Sequence, residues 1–273
     1  CRKADIMIET PQALEEYCAK AASGSWLALD TEFNRTNTYW AELCLIQVNS
    51  PVAGIAAIDP LPLAQHLGPF IDLLANRNVL KIVHAGRQDL EVFHVLAGVL
   101  PAPLFDTQIA AAALGHGDQA GYDRLVKAVT GKGIDKSSRF TDWTRRPLRK
   151  EQLEYALDDV RYLPALHEAF QEQLKTHGRT AWVEEDMAML QTPETYLPHP
   201  EEAWRKLKIR NGSPAFQGRL KVLAAWREEE AVKRNHNRTR VLRDEILLKI
   251  AAEPPASPVE LARIPGVGKA VQE

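Results

Sequence analysis

Asp30 and Glu32 break an apolar run, Trp26-Leu-Ala-Leu-Asp-Thr-Glu-Phe33, and no other feature constrains this chain so strongly. Side chains alternate faces along a strand, so the two acids point one way while Leu27, Leu29, Thr31 and Phe33 fill the other face. Apolar residues on both faces mark a central strand of a covered sheet, where uncompensated carboxylates are costly or must hold protons. Mg²⁺ or Mn²⁺ removes that cost, because hard cations prefer carboxylate oxygen. A strand end with solvated acids would show the same D-x-E spacing, so the reading turns on what else the chain supplies.

Two segments bear on it. Val79-Leu-Lys-Ile-Val-His84 reads as a strand that passes through Ala85-Gly86 into an amphipathic helix with Asp89 in its first turn. An acid there offsets the helix dipole in any protein, and Leu90, Phe93 and Leu96 at helical spacing are expected core. His84, at the strand end, reads first as a packed, hydrogen-bonded histidine. In the second segment, Glu151 to Leu163, an apolar face of Leu153, Ala156, Leu157, Val160 and Leu163 marks a long helix. Tyr155 and Asp159 are four apart, which stacks a phenol one turn from a carboxylate. Taken alone, such a pair is ordinary surface.

Together these pieces resemble the three motifs of the DEDD exonuclease superfamily, and Tyr155 places the likeness in its DEDDy branch. In the histidine branch the general base lies five residues before the last acid, and here that position is Glu154. Asp30-Thr-Glu-Phe-Asn-Arg-Thr36, His84-Ala-Gly-Arg-Gln-Asp-Leu-Glu-Val-Phe93, Phe105-Asp-Thr-Gln108, Thr141-Asp-Trp143, Arg146-Pro-Leu148 and Tyr155-Ala-Leu-Asp-Asp-Val160 are similar to the ribonuclease D family over nearly the whole chain. The resemblance implies an α/β fold with a ribonuclease H-like mixed sheet flanked by helices. It implies metal ligands Asp30, Glu32, Asp89 and Asp159 for two divalent cations, Mg²⁺ or Mn²⁺, and a water-positioning role for Tyr155. Asp158 is the adjacent competitor for Asp159. Nucleic-acid contacts are expected at Thr31, Phe33, His84, Lys136 and Arg146, with Glu32 and the Thr31 backbone near a terminal 3′-hydroxyl.

The rest of the chain fits an intracellular enzyme. At 273 residues and 45% hydrophobic content it can bury a sizeable core in one large or two modest domains. Its three cysteines lack metal or disulfide spacing, and no run approaches the length of a membrane helix. A cytoplasmic location follows as an expectation, with neither a membrane nor an obligate protein partner. Cys1 in place of Met is what a trimmed chain would show.

Strands are expected at 6–8, 26–33, 43–49, 54–58 and 79–84, and helices at 11–22, 63–75, 89–97 and 107–114, with Asp106 as an N-cap. Three prolines between Thr192 and Pro200 read as a linker, which divides an exonuclease domain at 1–191 from an all-α module at 201–273. From Trp204 to Lys249 that module carries 13 Lys and Arg against 5 Asp and Glu, leaving −10 for the rest of a chain whose total is −2. Its Arg219 to Glu230, Arg240 to Leu248 and Leu261 to Val267 stretches resemble the HRDC (helicase-and-RNase-D C-terminal) domain. Ile264-Pro-Gly-Val-Gly-Lys269 also fits a phosphate-binding hairpin, although a helix junction accounts for it as well.

A basic cluster of Lys136, Arg139, Arg145, Arg146, Arg149 and Lys150 precedes the Tyr155 helix. Cations at a helix N-terminus oppose the dipole, and substrate phosphate would compensate them. A basic lobe beside an acidic, metal-seeking one suits a polyanion held by one and cut by the other. The expected activity is a 3′-to-5′ exoribonuclease that trims structured RNA such as tRNA precursors and releases nucleoside 5′-monophosphates. A DNA exonuclease on the same fold and an inactive nucleic-acid-binding adaptor are the alternatives.

Overall fold

The computed structural model describes residues 6–135, 137, 138, 141–209 and 212–267, and in it the apolar runs of the first half form a six-stranded mixed sheet. The strands are β1 (Met7–Ile8), β2 (Trp26–Asn34), β3 (Glu42–Ser50), β4 (Gly54–Ile58), β5 (Leu80–Val83) and β6 (Leu104–Asp106), in the order β1-β4-β3-β2-β5-β6. β2, β5 and β6 run parallel, with Ala28 opposite Ile82 and Val83 opposite Asp106. β3 and β4 are antiparallel, and β1 lies parallel to β4 at the edge.

Helices cover both faces. On one side lie α1 (Pro11–Ala21), α2 (Pro60–Leu63), α3 (Gly68–Ala75) and α4 (Arg87–Ala97), whose Leu14, Phe70, Leu74 and Phe93 share a core with Leu27, Leu29, Ile46 and Val83. After α5 (Thr107–Ala113) and α6 (Tyr122–Thr130), α7 (Lys150–Arg161) covers the other face, where Leu153, Ala156 and Leu157 meet Cys44, Leu45 and Ala57. α8 (Leu163–Thr176) and α9 (Thr180–Leu190) close a further core with α5 and α6. The alternation along β2 therefore has consequences at its end: Leu27, Leu29 and Thr31 belong to the α4 side, Ala28 and Asp30 to the α7 side.

The element order departs from expectation in two places. The helix expected at 63–75 begins only at Gly68, as α3, with α2 ending at Leu63, because Pro69 lacks an N–H and its ring clashes with a preceding carbonyl. β6, α6, α8 and α9 are absent from the expected elements, since three residues carry too little alternation to mark a strand and the three helices begin without a capping side chain. Lys81, also unexpected as core, is fully buried in β5, and its ammonium donates to the carbonyls of Asn76, Val79 and Ala102. Among the described residues no helix is long and apolar enough to cross a membrane, and Cys18 and Cys44 are buried.

The chain divides into two compact units, one of residues up to 34 with 43–196, the other of 35–42 with 197 onward. The proline-rich stretch is thus no plain linker. Residues 193–196 form a 3₁₀ turn that buries Tyr196 in the first unit, its hydroxyl donating to Leu190 O at 2.6 Å. Another 3₁₀ turn, 200–206, leads into α10 (Pro214–Arg234), α11 (Arg238–Val241), α12 (Asp244–Ala252) and α13 (Pro258–Ala262). Leu220, Ala224, Leu247 and Ile250 form the core of this helical unit. Of the Ile264 to Lys269 segment, Val267 is buried and donates its N–H to Ile264 O, and Gly268 and Lys269 lie outside the described residues.

Residues 35–42 belong with the helices because Glu228 is buried there and needs partners. Arg238 forks onto both its carboxylate oxygens, the Tyr39 hydroxyl donates to it at 2.6 Å, and Asn237 Nδ2 donates to Thr36 O at 2.6 Å. Burial pushes the Glu228 carboxyl up, but Arg238 and Tyr39 outweigh it and hold the carboxyl below its ordinary value. That contribution is present above the unfolded-state value of 4.5 and is lost on acidification. Replacing Arg238 with Met leaves the carboxylate buried and short of its partner. Because Arg238 is itself a third exposed, urea unfolding of the helical unit should show a loss of about 2 kcal/mol, below the range for fully buried pairs. An unchanged midpoint would mean that this pair contributes nothing.

Candidate active site

The C-terminal end of β2 is where the two covered faces meet. Asp30, Thr31, Glu32 and Phe33 line a cavity of about 460 Å³ together with His84 and Asp89 from the β5–α4 junction and Tyr155 and Asp159 from α7. Gln108, Tyr122, Asp123 and Ile134 complete much of the wall.

Asp89 is placed by a turn with little freedom. Ala85 adopts φ 54°, in the left-handed region, and its N–H donates to Asp106 Oδ1 at 3.0 Å. The Gly86 N–H donates to Asp106 Oδ2 at 2.9 Å, and the Gln108 N–H to Oδ1 at 2.8 Å. Asp106 therefore caps α5, as expected, and also pins the start of α4. A Cβ at Gly86 would stand 2.6 Å from Val83 Cγ2, so only glycine passes there without displacement. One turn on, buried Asp89 accepts a hydrogen bond from the Thr31 hydroxyl.

Tyr155 and Asp159 enter from the other face. The Tyr122 hydroxyl donates to Asp158 O at 3.0 Å and accepts from the Tyr162 N–H at 3.2 Å, which grips the end of α7. The Trp143 ring packs against Tyr155 at 6.2 Å between centroids. Of the adjacent acids, Asp159 lines the cavity, whereas Asp158 accepts from Arg161 Nε at 2.6 Å. His84 Nδ1 lies 2.9 Å from the Thr107 hydroxyl, which donates to Val83 O. The hydroxyl is left to accept, so Nδ1 carries the proton. Burial pushes this imidazole below its ordinary value and keeps it neutral at pH 7.

The acids do not sit easily together. Burial, then the charges of Asp89, Asp159 and Glu32, raise the Asp30 carboxyl well above the usual range, and burial pushes Asp89 up to about 7. Among the described residues no three His, Cys, Asp or Glu side chains are drawn tightly enough around one point to clasp an ion as placed. The donor set nevertheless fits hard divalent cations: four carboxylates share one cavity, Asp30 and Asp89 are desolvated, the other three acids repel Asp30, and Arg161 turns toward Asp158 and Glu154 instead.

Eight of the ten expected site residues thus share one cavity, and two do not. Lys136 lies outside the described residues. Arg146 needs correcting: its five N–H groups are committed to Asp59 Oδ1 and Oδ2 and to the carbonyls of Cys44, Trp143 and Arg145. A guanidinium fully engaged with a buried carboxylate is a structural clamp, and none of its donors is left for phosphate. Arg146 also lines a separate cavity of about 500 Å³ with Arg145, Arg149, Thr141 and Gln152. Tyr122 escapes a reading of the sequence because its contribution depends on α6 reaching α7 across 36 residues, which no local spacing reveals.

Known proteins are similar to this chain in sequence and in fold. Residues 6–175 match the 3′-5′ exonuclease family and residues 216–273 the HRDC domain. A ribonuclease D of Sphingobium indicum is 45% identical over 262 residues, spanning 96% of this chain and 67% of that protein. The crystal structure of Escherichia coli RNase D, an exoribonuclease involved in structured RNA processing, superposes with a TM-score of 0.83 at 34% identity, covering 97% of this chain and 71% of that one. Brucella melitensis NrnC, solved with bound Mg²⁺ and also bound to pGG, is similar at 27% identity with TM-scores of 0.59 and 0.58, over 71% of this chain and 93% of that one.

The raised carboxyls give a signed expectation. Between the unfolded-state value of 3.8 and about 7, native Asp89 keeps a proton that the unfolded chain releases, so its presence costs stability as pH rises through that window. In EDTA the melting temperature should fall more steeply from pH 5 to 7.5 for the parent than for Asp89→Asn, and Mg²⁺ should restore the parent alone. Parallel pH profiles would show that burial does not raise the Asp89 carboxyl.

Proposed function

Because this chain belongs to the ribonuclease D family and is a 3′-to-5′ exoribonuclease, we propose that Asp30, Glu32, Asp89 and Asp159 hold its divalent cations and that Tyr155 orients the attacking water. One observation carries this reading: β2, α4 and α7 deliver four carboxylates and a phenol to a single cavity. Its substrate would be the 3′ end of structured RNA such as a tRNA precursor, in the cytoplasm. The structured-RNA processing of the Escherichia coli relative supports the RNA class, and the Mg²⁺-bound Brucella neighbour supports the metal.

Two divalent ions, when bound, would supply Lewis-acid stabilisation of the departing oxygen and make water acidic enough to attack. The protein's own groups do the rest. The Tyr155 hydroxyl, one turn from Asp159, holds the water in line with the scissile phosphorus without needing to ionise. Water attacks phosphorus, the bond to the upstream 3′-oxygen breaks, and that oxygen takes up a proton, leaving a nucleoside 5′-monophosphate and a new 3′-hydroxyl. Phe33 offers a ring face to the terminal base, and neutral His84 and the Thr31 backbone offer polar contacts to its sugar and phosphate. In the helical unit Arg240, Arg243 and Lys249 are exposed and suit phosphates further along the strand, whereas Arg227 is buried against Leu242 O and Asp244.

A 5′-labelled tRNA precursor with a 3′ extension, incubated with Mg²⁺, Mn²⁺ or EDTA, should shorten stepwise from its 3′ end only with a metal. Tyr155→Phe keeps the packing on Trp143 and should slow single-turnover cleavage about 10² to 10⁴-fold at an unchanged melting temperature. Asp159→Asn should abolish cleavage and Asp158→Asn should leave it near normal. A fast but less stable Tyr155→Phe enzyme would make the phenol structural, and inactivation by Asp158→Asn alone would move the metal site.

A further inference from the structure

Trp182, on α9, is 63% exposed, an unfavourable place for an indole that could fill a core. It is not loose. The Arg179 guanidinium lies over the ring at 5.2 Å from its centroid, and Arg179 Nη1 is anchored on Ala113 O at 2.7 Å. So held, the indole lines a groove of about 510 Å³ between α5 and α9, walled by Ile109, Ala113, Asp118 and Asp186 and reaching Gln108. Gln108 also lines the catalytic cavity, so the groove and the cavity adjoin at one shared wall residue.

The chemistry of that groove selects among the parts of a nucleic acid. Asp118 and Asp186 repel phosphate, but their carboxylates accept hydrogen bonds from the amino and imino groups of bases. An anchored aromatic face stacks any base without regard to the backbone. Resting on the exonuclease reading, a strand with its 3′-terminal nucleotide in the cavity reaches the groove only with a nucleotide on the 5′ side. We propose that Trp182 and Asp186 form a subsite that stacks and hydrogen-bonds an unpaired nucleobase 5′ of the scissile bond. The enzyme then recognises a single-stranded 3′ tail through a base as well as through phosphate, and a tail too short to reach Trp182 is held less well.

The test uses the full chain and two substrates. One is an RNA octanucleotide; the other is the p-nitrophenyl ester of uridine 5′-monophosphate, which has no nucleotide 5′ of the bond cut. Trp182→Ala should raise the ratio of octanucleotide KM to ester KM about tenfold, the order expected for losing one base–aromatic stack. Trp182→Phe should keep most of the affinity, and the octanucleotide should quench parent indole emission more than that of Trp182→Phe. An unchanged KM ratio with equal quenching would overturn the subsite and leave the exposed indole to a protein partner. Equal loss on both substrates with a lowered melting temperature would overturn it too, as a structural role. If the unsubstituted chain cut neither substrate, the exonuclease reading would fail, and the quenching comparison, which needs no turnover, would still decide the subsite.

Discussion

The burial of mutually repelling carboxylates at the end of β2 is the constraint around which the first unit is arranged. Asp30 is desolvated and faces three other acids, and their combined effect pushes its proton affinity far above the ordinary range. Packing alone does not favour such an arrangement. It persists because each acid is tethered independently: Asp30 and Glu32 by a buried strand, Asp89 by the Asp106-braced turn and the Thr31 hydroxyl, Asp159 by a helix that Tyr122 grips at its end. The structure stores unfavourable electrostatics at one place, and a divalent cation bound there, as proposed, would relieve them.

Much of this is legible in the chain, for identifiable reasons. The alternation along Trp26 to Phe33 determines which side chains share a face, and the four-residue spacing of Tyr155 and Asp159 places both on one wall of the cavity. The choice between Asp158 and Asp159 is likewise a matter of helical angle, and the structure turns the former toward Arg161. What local pattern cannot show is long-range partnership. Arg146 looks like a free cation in the sequence because its partner, Asp59, lies 87 residues away. Residues 35–42 look like the loop after a strand, yet Tyr39 reaches Glu228 across 189 residues. The break between α2 and α3 is different in kind, since Pro69 is visible in the sequence and outweighs the apolar period that runs through it.

The helical unit shows how far a charge count goes. Its excess of Lys and Arg is real, but Arg227, Arg234 and Arg238 are paired inside it, so the cations open to a polyanion are fewer than the sequence suggests. On the proposed reading, affinity for RNA would depend on a handful of exposed cations together with whatever reads the tail near the cavity. Direct contact with bases at Trp182 would complement the sequence-blind pull of phosphate.

If the clustered acids hold protons until a divalent cation replaces them, metal binding must release those protons. Calorimetric titration of Mg²⁺ at pH 6.5, run in two buffers of different ionisation enthalpy, measures this directly as protons released per ion bound. Net proton release is expected for the parent chain, and its loss is expected in Asp30→Asn. Mg²⁺ binding with no proton release, or binding that survives Asp30→Asn unaltered, would contradict the role assigned to the clustered acids.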